Sequence, residues 1–164
     1  MKNILITTCV LLLGLEIANA QNRTLPSVEI KTLEGEVITT QDIDNNNNPI
    51  IISFWNLACK PCKLELSNIA EVYDEWQEET GVKLIAMSTD NRRTLHKVAP
   101  YVESEGWEYE VYLDSNQELK RAMAVQMMPH TFLLNGKKEI VWQHTGYLPG
   151  DEDKLYEEVK KLSK

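Results

Sequence analysis

Cys59 and Cys62 stand three positions apart in the stretch FWNLACKPCKLEL, and a thiol pair at that spacing has three chemical readings. A structural zinc site needs four ligands, whereas outside this pair and Cys9 the chain offers three scattered histidines and no second paired motif. Zinc is disfavoured, and no cofactor or metal is expected. A structural disulfide suits an exported chain. It would restrict the unfolded chain only slightly, however, and would leave the pair's position ahead of a helix unexplained. The third reading is a redox pair. A helix starting near Cys59 turns unsatisfied N–H groups and its positive end toward that sulfur, with Lys60 and Lys63 nearby, and these features favour a thiolate. Cys59 is then the nucleophile. Cys62, one turn on and on the apolar stripe, is the shielded partner that resolves a mixed disulfide. Pro61 fits the first turn, where its missing N–H costs nothing.

The elements that must hold this pair follow from periodicity. IIISFW, Ile50 to Trp55, is a continuous β-branched run expected of a strand buried on both faces. From Lys60 to about Glu79, the positions Cys62, Leu66, Ile69, Tyr73 and Trp76 recur at helical spacing, and Gly81 stops the helix. VKLIAMS is the next buried strand, so strand, helix and strand form a parallel crossover unit. A second helix is expected around Arg93 to Glu105, then the strand YEVYLD and a shorter helix from Gln117 to about Val125. HTFLL, Asn135-Gly136 and KKEIVW read as an antiparallel hairpin, and DEDKLYEEVKKL as a terminal helix laid on the sheet. Upstream, SVEIKTLEGEVIT alternates on both sides of Glu34-Gly35 as a hairpin, and the asparagines 45 to 48 before Pro49 form a solvated loop.

With 164 residues the chain is one domain. Residues 1–20 carry Lys2, the apolar run ILITTCVLLLGL and the small-residue site ANA, the order of a secretory signal peptide cut after Ala20. Cleavage would remove Cys9 and leave 21–164 as an exported domain with one cysteine pair, in the periplasm or on the outer face of the membrane. The formal net charge of −8 excludes a nucleic-acid surface, which needs clustered Lys and Arg.

FWNLACKPCKLE after a buried strand, followed far downstream by MPHTFLLNGK, resembles the thioredoxin superfamily, in particular its exported TlpA/ResA-like thiol-disulfide oxidoreductases. The resemblance implies an α/β fold: a central mixed sheet flanked by helices, with an N-terminal β-hairpin and an extra helix and strand between Arg93 and Asp114. It implies reduction of protein disulfides outside the cytoplasm, on apocytochrome c or another thiol protein, with recharging by a membrane electron donor. The chain is expected to act as a monomer.

The same resemblance makes Pro129 a cis proline and lets Met128 offer its backbone to an extended substrate beside Cys59. Trp55 and Ala58 join them as expected substrate contacts. Two positions depart from relatives: Ala58 stands where many carry Trp, and Ser53 where thioredoxins carry a buried aspartate. Glu65 is the candidate to take over that proton-handling role. It falls in the same helical arc as Cys62, Leu66, Ile69 and Val72, and a desolvated carboxylate has a raised pKa suited to exchanging a proton with Cys62. The alternative from another class is a Cu(I) metallochaperone using Cys59, Cys62 and His130, the last expected close to the cysteines.

Overall fold

The computed structural model describes residues 23–163. The candidate leader 1–20, its cut after Ala20 and Cys9 lie outside the described residues.

The core strand is β3 (Ile50–Trp55), all six residues buried, as its apolar composition requires. Helix α1 (Lys60–Thr80) follows and delivers the chain to β4 (Lys83–Ser88), which pairs with β3 in parallel. Gly81 ends α1 at φ 67°, a left-handed conformation that glycine adopts without steric cost. Beyond β4 the expected single helix is divided. Residues Leu95–Lys97 form a 3-10 turn and α2 spans only Val98–Glu105, because Asn91 accepts hydrogen bonds from the N–H groups of Thr94 and Leu95 and starts a tighter turn.

Strand β5 (Glu110–Leu113) pairs in parallel with β4, and α3 (Glu118–Ala122) ends short of the expected Val125. The N-terminal hairpin of β1 (Glu29–Thr32) and β2 (Val37–Thr39) joins the far side of β5 in antiparallel register. On the other side β6 (His130–Leu134) and β7 (Ile140–Thr145) complete one seven-stranded mixed sheet of order β2-β1-β5-β4-β3-β6-β7.

The β6–β7 connection departs from the tight Asn135-Gly136 turn. It runs through Lys138, which takes the left-handed conformation at φ 60°, and β7 begins three residues past Lys137. The N-terminal segment explains this: Leu25 donates to the Lys138 carbonyl and Ile140 to that of Arg23, so residues 138–140 are engaged by 23–25. Gly136 serves another purpose. A Cβ there would come within 1.9 Å of the Asn47 carbonyl, so the residue is small because another loop presses on it.

The alternation of β3 divides the core. Ile50, Ile52 and Phe54 meet α3 residues such as Leu119 on one face, while Ile51 and Trp55 meet α1 and α2 on the other. Terminal helix α4 (Asp151–Leu162) lies beside α1 on this second face, burying Leu155 and Val159 and stacking Tyr156 on Trp76 at 4.7 Å.

Candidate active site

The site forms where β3 ends and α1 begins. Cys59 caps α1: its backbone is extended, and its sulfur accepts the Cys62 N–H at 3.3 Å. The two residues are joined as a disulfide, with Cα atoms 5.3 Å apart. Cys59 is half-buried on the loop side, and Cys62 is wholly buried. That asymmetry follows from the sequence: position 62 lies on the stripe that packs against the sheet, and position 59 lies ahead of it.

One turn beyond Cys62, Glu65 is 4% exposed and aims into the sheet. One oxygen accepts the Ser53 hydroxyl at 2.8 Å and the other accepts Thr131 at 2.7 Å, while Thr131 also reaches the Ser53 oxygen at 3.1 Å. Ser53 and Thr131 face each other across the β3–β6 pair. Burial raises the Glu65 carboxyl to about 7, with the two hydroxyls pulling it back and the Asp151 and Glu152 charges of α4 adding to the rise. A carboxyl poised there can take or give a proton near neutral pH. Thr131 is the member that sequence reasoning missed. The available signal was a lone polar residue inside each of two apolar strands, Ser53 in IIISFW and Thr131 in HTFLL.

The Met128–Pro129 peptide bond is cis. Pro129 is buried and its carbonyl accepts the Gly146 N–H, while Met128 is partly buried and its sulfur takes the Thr89 hydroxyl at 3.5 Å. Met127, beside them, is 67% exposed.

Two candidate positions fall elsewhere. Trp55 is fully buried, its ring against Trp107 at 5.0 Å and Tyr101 at 5.8 Å, so it supports the site from beneath and presents no surface to a substrate. His130 does not join the cysteines. Strand parity sends its neighbour Thr131 toward Glu65 and His130 to the opposite face, where it stacks on Phe132 at 4.2 Å and meets Gln143. Among the described residues, no three His, Cys, Asp or Glu side chains gather as a metal would need. Ala58 is exposed, directly ahead of Cys59.

On the Ala58 side lies a cavity of about 420 Å³ at the carboxyl ends of β3 and β4. Asp90 forms its base, 5% exposed, accepting the Leu57 N–H and the Ser88 and Thr94 hydroxyls.

A mixed sheet with a dithiol pair capping the helix after its central strand, and a cis proline ahead of the next antiparallel strand, is the thioredoxin-like fold, and the protein is a thiol-disulfide oxidoreductase of that class. The chain belongs to the AhpC/TSA family, whose sequence model matches residues 22–143. It is 31% identical over 163 residues to sporulation thiol-disulfide oxidoreductase A of Bacillus subtilis, covering 94% of this chain and 96% of that one. It is 28% identical over 135 residues to thiol-disulfide oxidoreductase ResA of Halalkalibacterium halodurans, covering 82% and 72%. Among solved structures, an uncharacterized thioredoxin-like protein from Porphyromonas gingivalis superposes with a TM-score of 0.76 at 47% identity, over 85% of this chain and 91% of that one.

Proposed function

We propose that the protein reduces disulfides of client proteins outside the cytoplasm, with Cys59 as nucleophile, Cys62 as resolving thiol and Glu65 as proton acceptor. The observation that carries the reading is the asymmetry of the pair, one sulfur at the helix cap and the other buried one turn from a carboxyl held near neutrality.

In the forward step the Cys59 thiolate attacks one sulfur of the client disulfide. A mixed disulfide forms and the other client sulfur leaves as a thiolate, which takes a proton from water. Glu65 accepts the Cys62 proton, and the Cys62 thiolate then attacks the Cys59 sulfur. The Cys59–Cys62 disulfide closes and the second client thiol is released. The client gains two electrons and the pair loses two. Met128 and Pro129 line the groove that holds the client strand, beside Ala58.

Export rests on residues 1–20, read as a cleaved signal peptide. Apocytochrome c is the client class suggested by the resemblance, and a membrane donor returns the electrons. The protein works as a monomer. The Cu(I) reading has no support from His130, which lies across the sheet from the sulfurs.

The test is trapping. A Cys62→Ser variant, incubated with oxidised client proteins, is expected to accumulate mixed disulfides at Cys59, while Cys59→Ser accumulates none. Equal trapping by both variants, or trapping by Cys59→Ser alone, overturns the assignment of roles.

A further inference from the structure

The cavity beside Ala58 has an uneven supply of hydrogen-bonding groups. Its acceptors are engaged. Asp90 takes three donors, the Asn56 Oδ1 takes the Ala58 N–H, the Asn91 Oδ1 takes the Arg93 N–H, and the Gln117 Oε1 takes Lys120. Its donors are not. Asn56, Asn91 and Lys97 also line the cavity, and their side-chain nitrogens donate to no acceptor among the described residues. With the oxygens of both amides taken by backbone N–H groups, the two NH₂ groups remain available to a ligand.

The surrounding charge agrees. The chain carries a net charge of −8, yet Lys60 and Lys63 on α1, and Arg92, Arg93 and Lys97 after β4, form no ion pair among the described residues. Lys97 lines the cavity and Arg92 and Arg93 adjoin its Asn91 in sequence, so cations gather on this side of an acidic protein and attract anions, while the Asp90 oxygens at the base are already engaged. The cavity also sits at the carboxyl ends of the parallel strands, where open α/β sheets bind ligands.

Building on the oxidoreductase reading, we infer that this cavity is a carboxylate-binding subsite of the client groove, taking an Asp or Glu side chain that flanks the reacting cysteine of the client. Lys97 supplies the charge and the Asn56 and Asn91 amides the directed hydrogen bonds. Because Ala58 joins the cavity to Cys59, a carboxylate seated there fixes which client cysteine meets the nucleophile.

The test uses the full chain, reduced beforehand, in single-turnover reduction of two cyclic disulfide peptides that differ only in Glu or Gln beside one cysteine. The Glu peptide is expected to react about tenfold faster at low salt, the scale of one charge-assisted hydrogen bond, and the ratio should shrink as salt rises. In Lys97→Glu the ratio should fall below one. Glutathione disulfide, which carries carboxylates without a longer chain, should react no faster than the Gln peptide. A ratio near one in the wild type, or a ratio unmoved by Lys97→Glu, overturns the subsite and leaves the oxidoreductase reading intact. Faster reaction of glutathione disulfide overturns the polypeptide as occupant. Reduction of neither peptide overturns both readings together.

Discussion

Two buried carboxylates, Glu65 on α1 behind the cysteines and Asp114 just after β5, show how similar burial serves different ends. Asp114 is 2% exposed and accepts the N–H groups of Glu118, Leu119 and Lys120, the orphan donors at the start of α3. Burial raises its pKa, but three backbone bonds and the Arg121 charge work against the rise. Glu65 receives only two hydroxyls, and the charges of Asp151 and Glu152 that act on it are of its own sign. Backbone donors cannot turn away when a proton arrives, whereas a hydroxyl can donate to a carboxylate or accept from a carboxylic acid. Asp114 is built to stay charged and hold a helix, and Glu65 to change its charge.

The largest expected effect tests the Glu65 half. A carboxyl moved from 4.5 to about 7 on folding binds its proton more tightly in the native state. The Glu65 contribution to the stability of the oxidised protein is therefore greatest below pH 4.5 and is lost as pH rises through 7. The full loss is about 3 kcal/mol. Glu65→Gln, which keeps the shape and both hydroxyl partners, should remove this slope and be more stable than the wild type at pH 8. Its disulfide-exchange rate should lose the inflection near neutral pH. Urea midpoints across the pH range check the first outcome and stopped-flow exchange the second. A slope that survives the substitution makes the two carboxylates equivalent and ends the comparison.

The next effect tests the Asp114 half. Asp114→Ala leaves three helix-start donors without their acceptor and is expected to cost about 2 kcal/mol, read as a lower urea midpoint. Asp114→Asn keeps an acceptor and should lose less. Neither change should move the pH profile of exchange, since Asp114 lies two strands away from β3 and its carboxylate is engaged by the start of α3. A profile that moves with Asp114 would show that this carboxylate also reaches the redox pair.

The same contrast explains what the sequence disclosed. Cys62 and Glu65 were legible because both follow from the periodicity of one helix, as did the end of α1 at Gly81. The strands β3 and β4 were legible from their unbroken apolar runs. Features set by distant partners were not. Thr131 meets Glu65 only because β6 lies beside β3, and Trp55 is sealed by Tyr101 and Trp107 of a later segment. The β6–β7 turn follows neither Asn135 nor Gly136 alone, since residues 23–25 and Asn47 fix it from elsewhere in the chain.

The smallest expected effect concerns a charge that is not buried at all. Lys60 lies between the two cysteines and is exposed, without an ion-pair partner among the described residues. It favours the Cys59 thiolate, and so stabilises the reduced form and makes the pair more oxidising. An exposed charge contributes at most ~1 kcal/mol, and for a two-electron couple 30 mV corresponds to about 1.4 kcal/mol. Lys60→Ala should thus lower the potential by about 20 mV, measured by equilibration with defined thiol-disulfide buffers. The wild-type value is expected below about −200 mV, because the distance between thioredoxin near about −270 mV and a strong exported oxidant near about −120 mV is several times what this lysine supplies. A value above about −160 mV would make the protein a disulfide donor. A shift beyond about 60 mV on removing Lys60 would mean that an exposed charge acts on the sulfurs with the strength of a buried one. In that case the division between screened surface and desolvated interior, on which the roles of Glu65 and Asp114 were separated, would not hold at this site.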